Sequence, residues 1–198
     1  KAAEKANFFL TTLTQWQVKG LLQSNGIISF TGYNQKHAVD FVTSEVIKTF
    51  QNQGRKLLLV NLVKNMVNHD FWKLHNTNEY TAELSLDQSK MMYRTTEELQ
   101  SVIKKESKNF DQTIILNSNL GETFTLAIMA ISDLNVVCID TRLTPAKKVI
   151  EMDLLAAEYK LPNVYFAVNR VNYNPSFVFE LIRTVRNVIL AAKNIFKR

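Results

Sequence analysis

The segment from Ile27 to Asn65 constrains the fold more than any other part of this chain. Ile27-Ile28-Ser29-Phe30-Thr31 is a near-continuous apolar run, followed by Gly32-Tyr33-Asn34-Gln35-Lys36-His37-Ala38-Val39-Asp40, a helical pattern to Gln53, Gly54, and a second apolar run, Leu57-Leu58-Leu59-Val60-Asn61. That layout is strand, loop, helix, strand, the βαβ unit of parallel sheets. A phosphate-binding loop in this position reads G-x-x-x-x-G-K-[ST]. Its glycines let backbone N–H groups close on phosphate, its lysine meets the β/γ charge, and its hydroxyl holds the metal. Past Gly32 the loop has none of these residues at the positions the motif requires.

The same alternation continues to the C-terminus. Strands are expected near 27–31, 57–62, 112–117, 135–140 and 163–168. Helices are expected near 3–22, 38–53, 95–107, 121–131, 144–160 and 176–196. Strands that read as unbroken apolar runs belong to a parallel sheet covered on both faces, so the expected fold is a three-layer α/β sandwich with a mainly parallel sheet. In the first helix Phe8, Phe9, Leu13 and Trp16 form one apolar stripe expected to pack on the rest of the protein. The stretch 63–94, interrupted by Asn65, Asn68, His69, Asn76, Thr77 and Asn78, reads as a long connection with short elements. Pro145, Pro162 and Pro175 fall at helix starts or turns, where a fixed φ is useful.

This arrangement resembles the cytoplasmic kinase domain of bacterial tyrosine kinases, the polysaccharide co-polymerase partners within the MinD/ParA-like group of P-loop ATPases. That family reads approximately T-S-x-x-P-G-E-G-K-S-T, helix, G-K-R-V-L-L-I-D-A-D-L-R. Laid on this chain without a gap, Thr31 meets the family's threonine, Gly54-Arg55-Lys56 its Gly-Lys-Arg, and Leu57 to Val60 its second strand. The two loop glycines fall on Lys36 and Ala38, the phosphate-binding lysine on Val39, and the metal-binding hydroxyl on Asp40. The aspartates after the second strand fall on Asn61 and Val63, and the following arginine on Asn65.

The similarity covers most of the chain. Phe110 to Asn117 is similar to the family's Y-D-y-v-I-I-D-T, which places the Walker B aspartate on Leu116. Asp133 to Thr144 is similar to D-g-v-l-l-V-v-r-x-x-x-T, and Ala167-Val168-Asn169-Arg170-Val171 to V-L-N-k-v. Near the N-terminus, Glu4 to Leu13 resembles E-a-f-R-x-l-R-T-N-L, whose E-x-x-R-x-x-R contacts build rings. Here Asn7 and Leu10 replace both arginines, leaving Glu4.

The resemblance implies a P-loop NTPase-like frame whose nucleotide site, at Thr31, Gly32, Lys36, Ala38, Val39, Asp40, Asn61, Leu116 and Asn169, is degenerate. Thr31, Gly32 and the following helix N-terminus would still offer N–H donors and a dipole, with charge from Lys36 or His37. Against this, Asp40 faces phosphate with the wrong sign, Val39 supplies no cation, and neither Asn61 nor Leu116 replaces a carboxylate near magnesium. Losing several such electrostatic contacts abolishes turnover. The expectation is that ATP and magnesium binding are lost, with no catalytic residue and no cofactor.

Composition agrees with a globular chain: 198 residues, 46% hydrophobic and 21% charged, suited to a single α/β domain over 1–198. No run of about 18 apolar residues is available to span a bilayer. The chain begins at Lys1, without Met or a secretion signal, which reads as a fragment of a longer membrane protein. Cys138, in the run Val136-Val137-Cys138-Ile139, reads as a small buried hydrophobe in a reducing compartment. The net charge is +6, and Arg183, Arg186, Lys193, Lys197 and Arg198 face one acid, Glu180, in the last helical stretch. Such a surface fits an anionic membrane, while no motif points to nucleic acid. A solvated helix face at a terminus is the plain alternative.

Metal and triad chemistry find little support. His69 and His75 are six apart, whereas helical ligand pairs want three or four, and no cysteine or further histidine completes a shell. No G-x-S-x-G elbow occurs. The expected function is therefore that of a non-catalytic kinase-like cytoplasmic domain of an exopolysaccharide or capsule chain-length or export protein. Its partners would be export or polymerisation proteins or a catalytic paralogue, and its place the inner face of the membrane. The alternatives are an active ATPase or protein-tyrosine kinase with an atypical phosphate loop, and a MinD/ParA-like scaffold at a membrane or on nucleic acid.

Overall fold

The apolar runs assemble as strands of one sheet, because each can bury side chains on both of its faces only in the middle of a layered structure. The structure, a computed structural model, describes residues 2–33, 39–64, 66, 70–117, 119, 120, 122, 124–141 and 143–169. Its seven strands are β1 (Gly26–Gly32), β2 (Leu57–Val63), β3 (Trp72–Asn76), β4 (Thr81–Asp87), β5 (Gln112–Leu116), β6 (Leu134–Asp140) and β7 (Val164–Asn169). They lie in the order β3-β4-β2-β5-β1-β6-β7, and every neighbouring pair is parallel except β3 and β4.

Helices cover both faces. On one face α1 (Ala2–Val18) and α2 (Val39–Asn52) pack Leu13, Val42, Val46 and Phe50 against Ile28, Phe30, Ile114 and Val136. On the other, α4 (Thr96–Ser107) and α5 (Thr125–Ile131) bring Leu99, Ile103 and Ile128 onto Ile27, Leu58, Val60 and Ile115. Beside them α6 (Ala146–Glu158) sets Met152 against Val137 and Ile139. Neighbouring positions thus point to opposite layers, as Ile114 and Ile115 do, which is why the strands read as unbroken apolar sequence.

Local chemistry sets the helix ends. Thr95 caps α4 by accepting from the Glu98 N–H while the Glu98 carboxylate accepts from the Thr95 N–H, a capping box. At the far ends of α1 and α2, Gly20 and Gly54 both take φ 70. There Leu21 N–H reaches Trp16 C=O and Arg55 N–H reaches Phe50 C=O, closing each helix in a left-handed turn. A side chain at Gly54 would meet open space, so the requirement is conformational and not steric.

The stretch 63–94, expected as a long connection with short elements, contributes two strands to the sheet. It holds β3 and β4, joined by a turn in which Thr77 and Asn78 N–H groups reach Thr81 C=O, followed by the short α3 (Gln88–Met91). Strand β4 alternates Ala82, Leu84 and Leu86, all in the core, with Glu83, Ser85 and Asp87. That period-2 pattern was present in the sequence but was masked by the asparagines around it. Two helices are also shorter than expected, α1 ending at Val18 and α5 starting at Thr125. The helix expected over 176–196 lies outside the described residues.

Ile115 and Val137 are at most 1% exposed in the two layers. Ile115→Asp and Val137→Asp each bury an unpaired carboxylate, a cost of several kcal/mol against a total stability of about 5–15 kcal/mol. Both variants are expected to be unfolded at room temperature by circular dichroism; unchanged melting midpoints would mean that these strands are misplaced.

Candidate functional site

In a doubly wound parallel sheet the carboxyl ends of the central strands form the crest where ligands bind, because crossovers leave those strands in different directions. Here β1 lies between β5 and β6, and its last residues, Thr31 and Gly32, stand at that crest. Thr31 is fully buried, and its Oγ1 accepts from Asn117 Nδ2 at 3.0 Å. The Asn117 N–H donates to Phe30 C=O at 2.9 Å and the Leu120 N–H to Gly32 C=O at 3.2 Å. The segment after β5 is therefore fastened across the end of β1. Asn117 is 4% exposed, and its Oδ1 has no partner among the described residues.

Val39 opens α2 and is buried in the layer with Leu13, Phe30 and Val42, pointing into the core. Its carbonyl accepts from Thr43 Oγ1 at 2.8 Å. Asp40, one residue on, is exposed in the first turn, where a carboxylate is favoured by the helix dipole whatever else it does. Leu116 is half-buried and lies in register with Phe30 on one side and Asn61 on the other. Asn61 Nδ2 donates to Glu83 Oε1 at 2.8 Å, so this amide is already engaged with the next strand. Asn169 ends β7 in register with Asp140 of β6. Lys36, His37 and Ala38 lie outside the described residues, as do Asn65 and His69.

Two charged pairs among the described residues stand near the crest. Lys148 Nζ is 2.7 Å from Glu151 Oε2 and 5.7 Å from the Tyr33 ring centroid. Glu151, and then Tyr33, raise the Lys148 pKa, while Lys148 lowers that of Glu151. Asp87, 1% exposed at the end of β4, caps α3 by accepting from Ser89 N–H, and also accepts from Met66 N–H at 2.9 Å, with Lys90 Nζ at 3.4 Å. Burial pushes its carboxyl up, but the two N–H groups and Lys90 outweigh that and hold it below its ordinary value of 3.8. Cys138 is fully buried with its thiol pushed up to about 12 by desolvation, as a small core residue should be. Among the described residues no group of three His, Cys, Asp or Glu side chains is placed to hold a metal.

On α1 the expected stripe is partly corrected: Leu13 is buried and Phe9 and Trp16 pack beside it, but Phe8 is 66% exposed. Leu10 is exposed as well, and Glu4 and Asn7 lie on the same helix. Two crest features were not read from the sequence. Asn117 could have been noticed as an amide closing an apolar run, whereas the Tyr33–Lys148 contact joins residues far apart in sequence and leaves no local signal.

No protein-family model matches the chain, and no curated protein matches it. Solved structures do. The kinase domain of VpsO superposes with a TM-score of 0.66 at 12% identity, covering 86% of this chain and 96% of that one. The kinase domain of the Escherichia coli tyrosine kinase ETK gives 0.64 at 11% identity, with 84% and 77% covered. A ParA family ATPase from Chlorobium tepidum gives 0.62 at 11% identity, with 82% and 81% covered. At such identities the likeness is one of fold: an α/β sandwich of the P-loop NTPase type, shared with bacterial tyrosine kinase domains and ParA-type ATPases.

The paired state of Asp87 has a consequence for stability against pH. A carboxylate with a lowered folded pKa stabilises above its unfolded value and loses that contribution as pH falls through the folded one. In melts of Asp87→Asn beside the parent protein, the parent is expected to be more stable at neutral pH. The gap between midpoints should close only below pH 3.8. A gap that is absent at neutral pH, or persists unchanged in acid, would contradict this pairing.

Proposed function

We propose that this chain is a non-catalytic, kinase-like module of an exopolysaccharide or capsule chain-length or export protein, acting through protein interaction. The observation that carries the reading is Val39. At the position where the resemblance puts the phosphate-binding lysine, this chain has an apolar side chain turned into the core, in a layer with Leu13, Phe30 and Val42. Burying a valine stabilises the fold by about 1.5–3 kcal/mol, so the position serves packing. Leu116 and the Glu83-bonded Asn61 stand where the family holds metal-binding carboxylates. The kinase-domain and ATPase likenesses support the frame within which these positions are read.

On this reading the module belongs to a longer, membrane-anchored protein on the cytoplasmic side of the inner membrane. It contacts export or polymerisation proteins or a catalytic paralogue, and its net charge of +6 suits an anionic membrane surface nearby. Among the described residues no helix is long and apolar enough to cross a bilayer, so anchoring would fall to other segments.

Titration calorimetry of the purified chain with ATP and magnesium is expected to show no saturable heat at micromolar protein. Magnesium-dependent micromolar affinity would sink the non-catalytic reading. Assembly is a separate test, because Asn7 and Leu10 lack the guanidinium groups that make bidentate contacts with a neighbour's carboxylate. Light scattering is expected to report a monomer or weak dimer. A stable ring dispersed by Glu4→Ala would restore the family's mode of assembly.

A further inference from the structure

At the end of the sheet opposite the crest, where β2 and β5 begin, Gln17, Ser24, Gln53, Arg55, Asp111 and Gln112 line a cavity of about 400 Å³. That volume lies in the range of small-molecule sites. Backbone geometry builds the walls. Gly54, with its left-handed φ, ends α2, the Arg55 N–H returns to Phe50 C=O at 3.1 Å, and the Arg55 guanidinium lies 5.3 Å from the Phe50 ring centroid. The next residue fixes Asp111: Lys56 N–H donates to Asp111 Oδ2 at 2.7 Å, and the Asp111 N–H donates to Lys56 C=O at 2.8 Å.

Three groups of this cavity have no polar partner among the described residues. Arg55 stacks on a ring but donates to no acceptor and makes no ion pair, although Asp111 lines the same cavity. Asp111 uses Oδ2 and keeps Oδ1. Gln112 is 1% exposed, its Nε2 donates to Gln23 C=O at 2.8 Å, and its Oε1 is buried without a donor. The Gln23 contact fixes which end of the amide is which, so the unmatched atom is an acceptor. Folded proteins leave few buried polar atoms in that state.

We propose that this cavity binds a small zwitterion, a free α-amino acid. The Arg55 guanidinium takes its carboxylate in a two-pronged contact, and its ammonium donates to Asp111 Oδ1 and Gln112 Oε1. The charge pattern selects this class. A plain anion would meet the Asp111 carboxylate, a plain cation would meet Arg55, and an apolar molecule would leave all three groups unmatched. A molecule with one carboxylate and one ammonium answers each of them. This inference concerns the amino end of the sheet and stands independently of whether the crest binds nucleotide.

The full chain tests it through melting midpoints and titration calorimetry with the standard L-amino acids, each alone at millimolar concentration. At least one is expected to raise the midpoint and to give saturable heat. The N-acetyl derivative of that amino acid lacks the ammonium and its carboxamide lacks the carboxylate, so both are expected to do neither. In Arg55→Gln the affinity should fall by roughly tenfold or more, as a charge-assisted contact is lost. Lys48→Gln, which removes the Glu45 pair on α2, should leave it unchanged. Sodium phosphate and putrescine are the single-sign probes. A midpoint shift from either as large as that from the amino acid would assign the cavity to a plain ion and overturn the proposal. No response to any amino acid, or a response kept by either capped derivative or by Arg55→Gln, would overturn it as well. The capped derivatives are read on the parent protein, so the test stays decisive even if Arg55→Gln fails to fold.

Discussion

A parallel strand with both faces buried can satisfy its backbone only through its two neighbours, and β1 is that strand here. All seven of its residues are buried, and β5 and β6 flank it in register along their lengths. Everything else follows from covering it: a layer of α1 and α2 on one side, and one of α4, α5 and α6 on the other. Apolar runs specify burial well but register poorly, since one aliphatic side chain slides past another at little cost. Buried polar pairs supply the register. Ser29 of β1 donates to Asn135 Oδ1 of β6, while Asn135 Nδ2 donates to Met129 C=O and Pro162 C=O. That one amide ties β1, the end of α5 and the entry to β7 together, and a slip by one residue would leave each of these groups buried without a partner.

How much of this could be read from the chain depends on what each element reports locally. β1, β2, β5, β6 and β7 were legible because a strand buried on two sides is apolar at nearly every position, a signal that survives ragged ends. β4 was hidden because it carries the half-polar alternation of a strand near the sheet edge, in a neighbourhood rich in turn-forming asparagine. Its partner β3 is mostly exposed and had even less to show. The early end of α1 is a matter of Gly20, whose left-handed φ turns the chain away before the apolar pattern has run out. The Thr95-x-x-Glu98 box carries both halves of the cap in the sequence, but it was not read there, and the helix was expected from about 95.

The crest was legible in a different sense. Position by position, the resemblance sets particular residues of the chain where phosphate chemistry would need lysine, hydroxyl and carboxylate. What those residues do instead could not. The sequence leaves the direction of Val39 open, and the packing of α2 on Phe30 decides it. Asn61 pairs with Glu83, a residue in a strand that the sequence reading had not placed. Thr31 keeps a hydroxyl, but its partner is Asn117. Each of these contacts is long-range, and no periodicity carries it.

Under the non-catalytic reading, these contacts bear on how such a frame would persist without the chemistry of the proteins it resembles. The crest of a parallel sheet is hard to close, because strand ends leave carbonyls that water must otherwise serve and helix starts leave N–H groups. Among the described residues some of these duties are met internally: Asn117 and Leu120 N–H groups donate to the carbonyls of Phe30 and Gly32, Asp87 accepts from the N–H groups of Met66 and Ser89, and Asp40 lies in the first turn of α2. A bound phosphate would perform some of the same work by accepting N–H bonds and neutralising a helix dipole. Under the non-catalytic reading, selection no longer holds those positions for substrate, and side chains that complete the protein's own hydrogen bonding become the stabilising choice. The strand order and crossovers are then retained because the core depends on them, independently of any nucleotide.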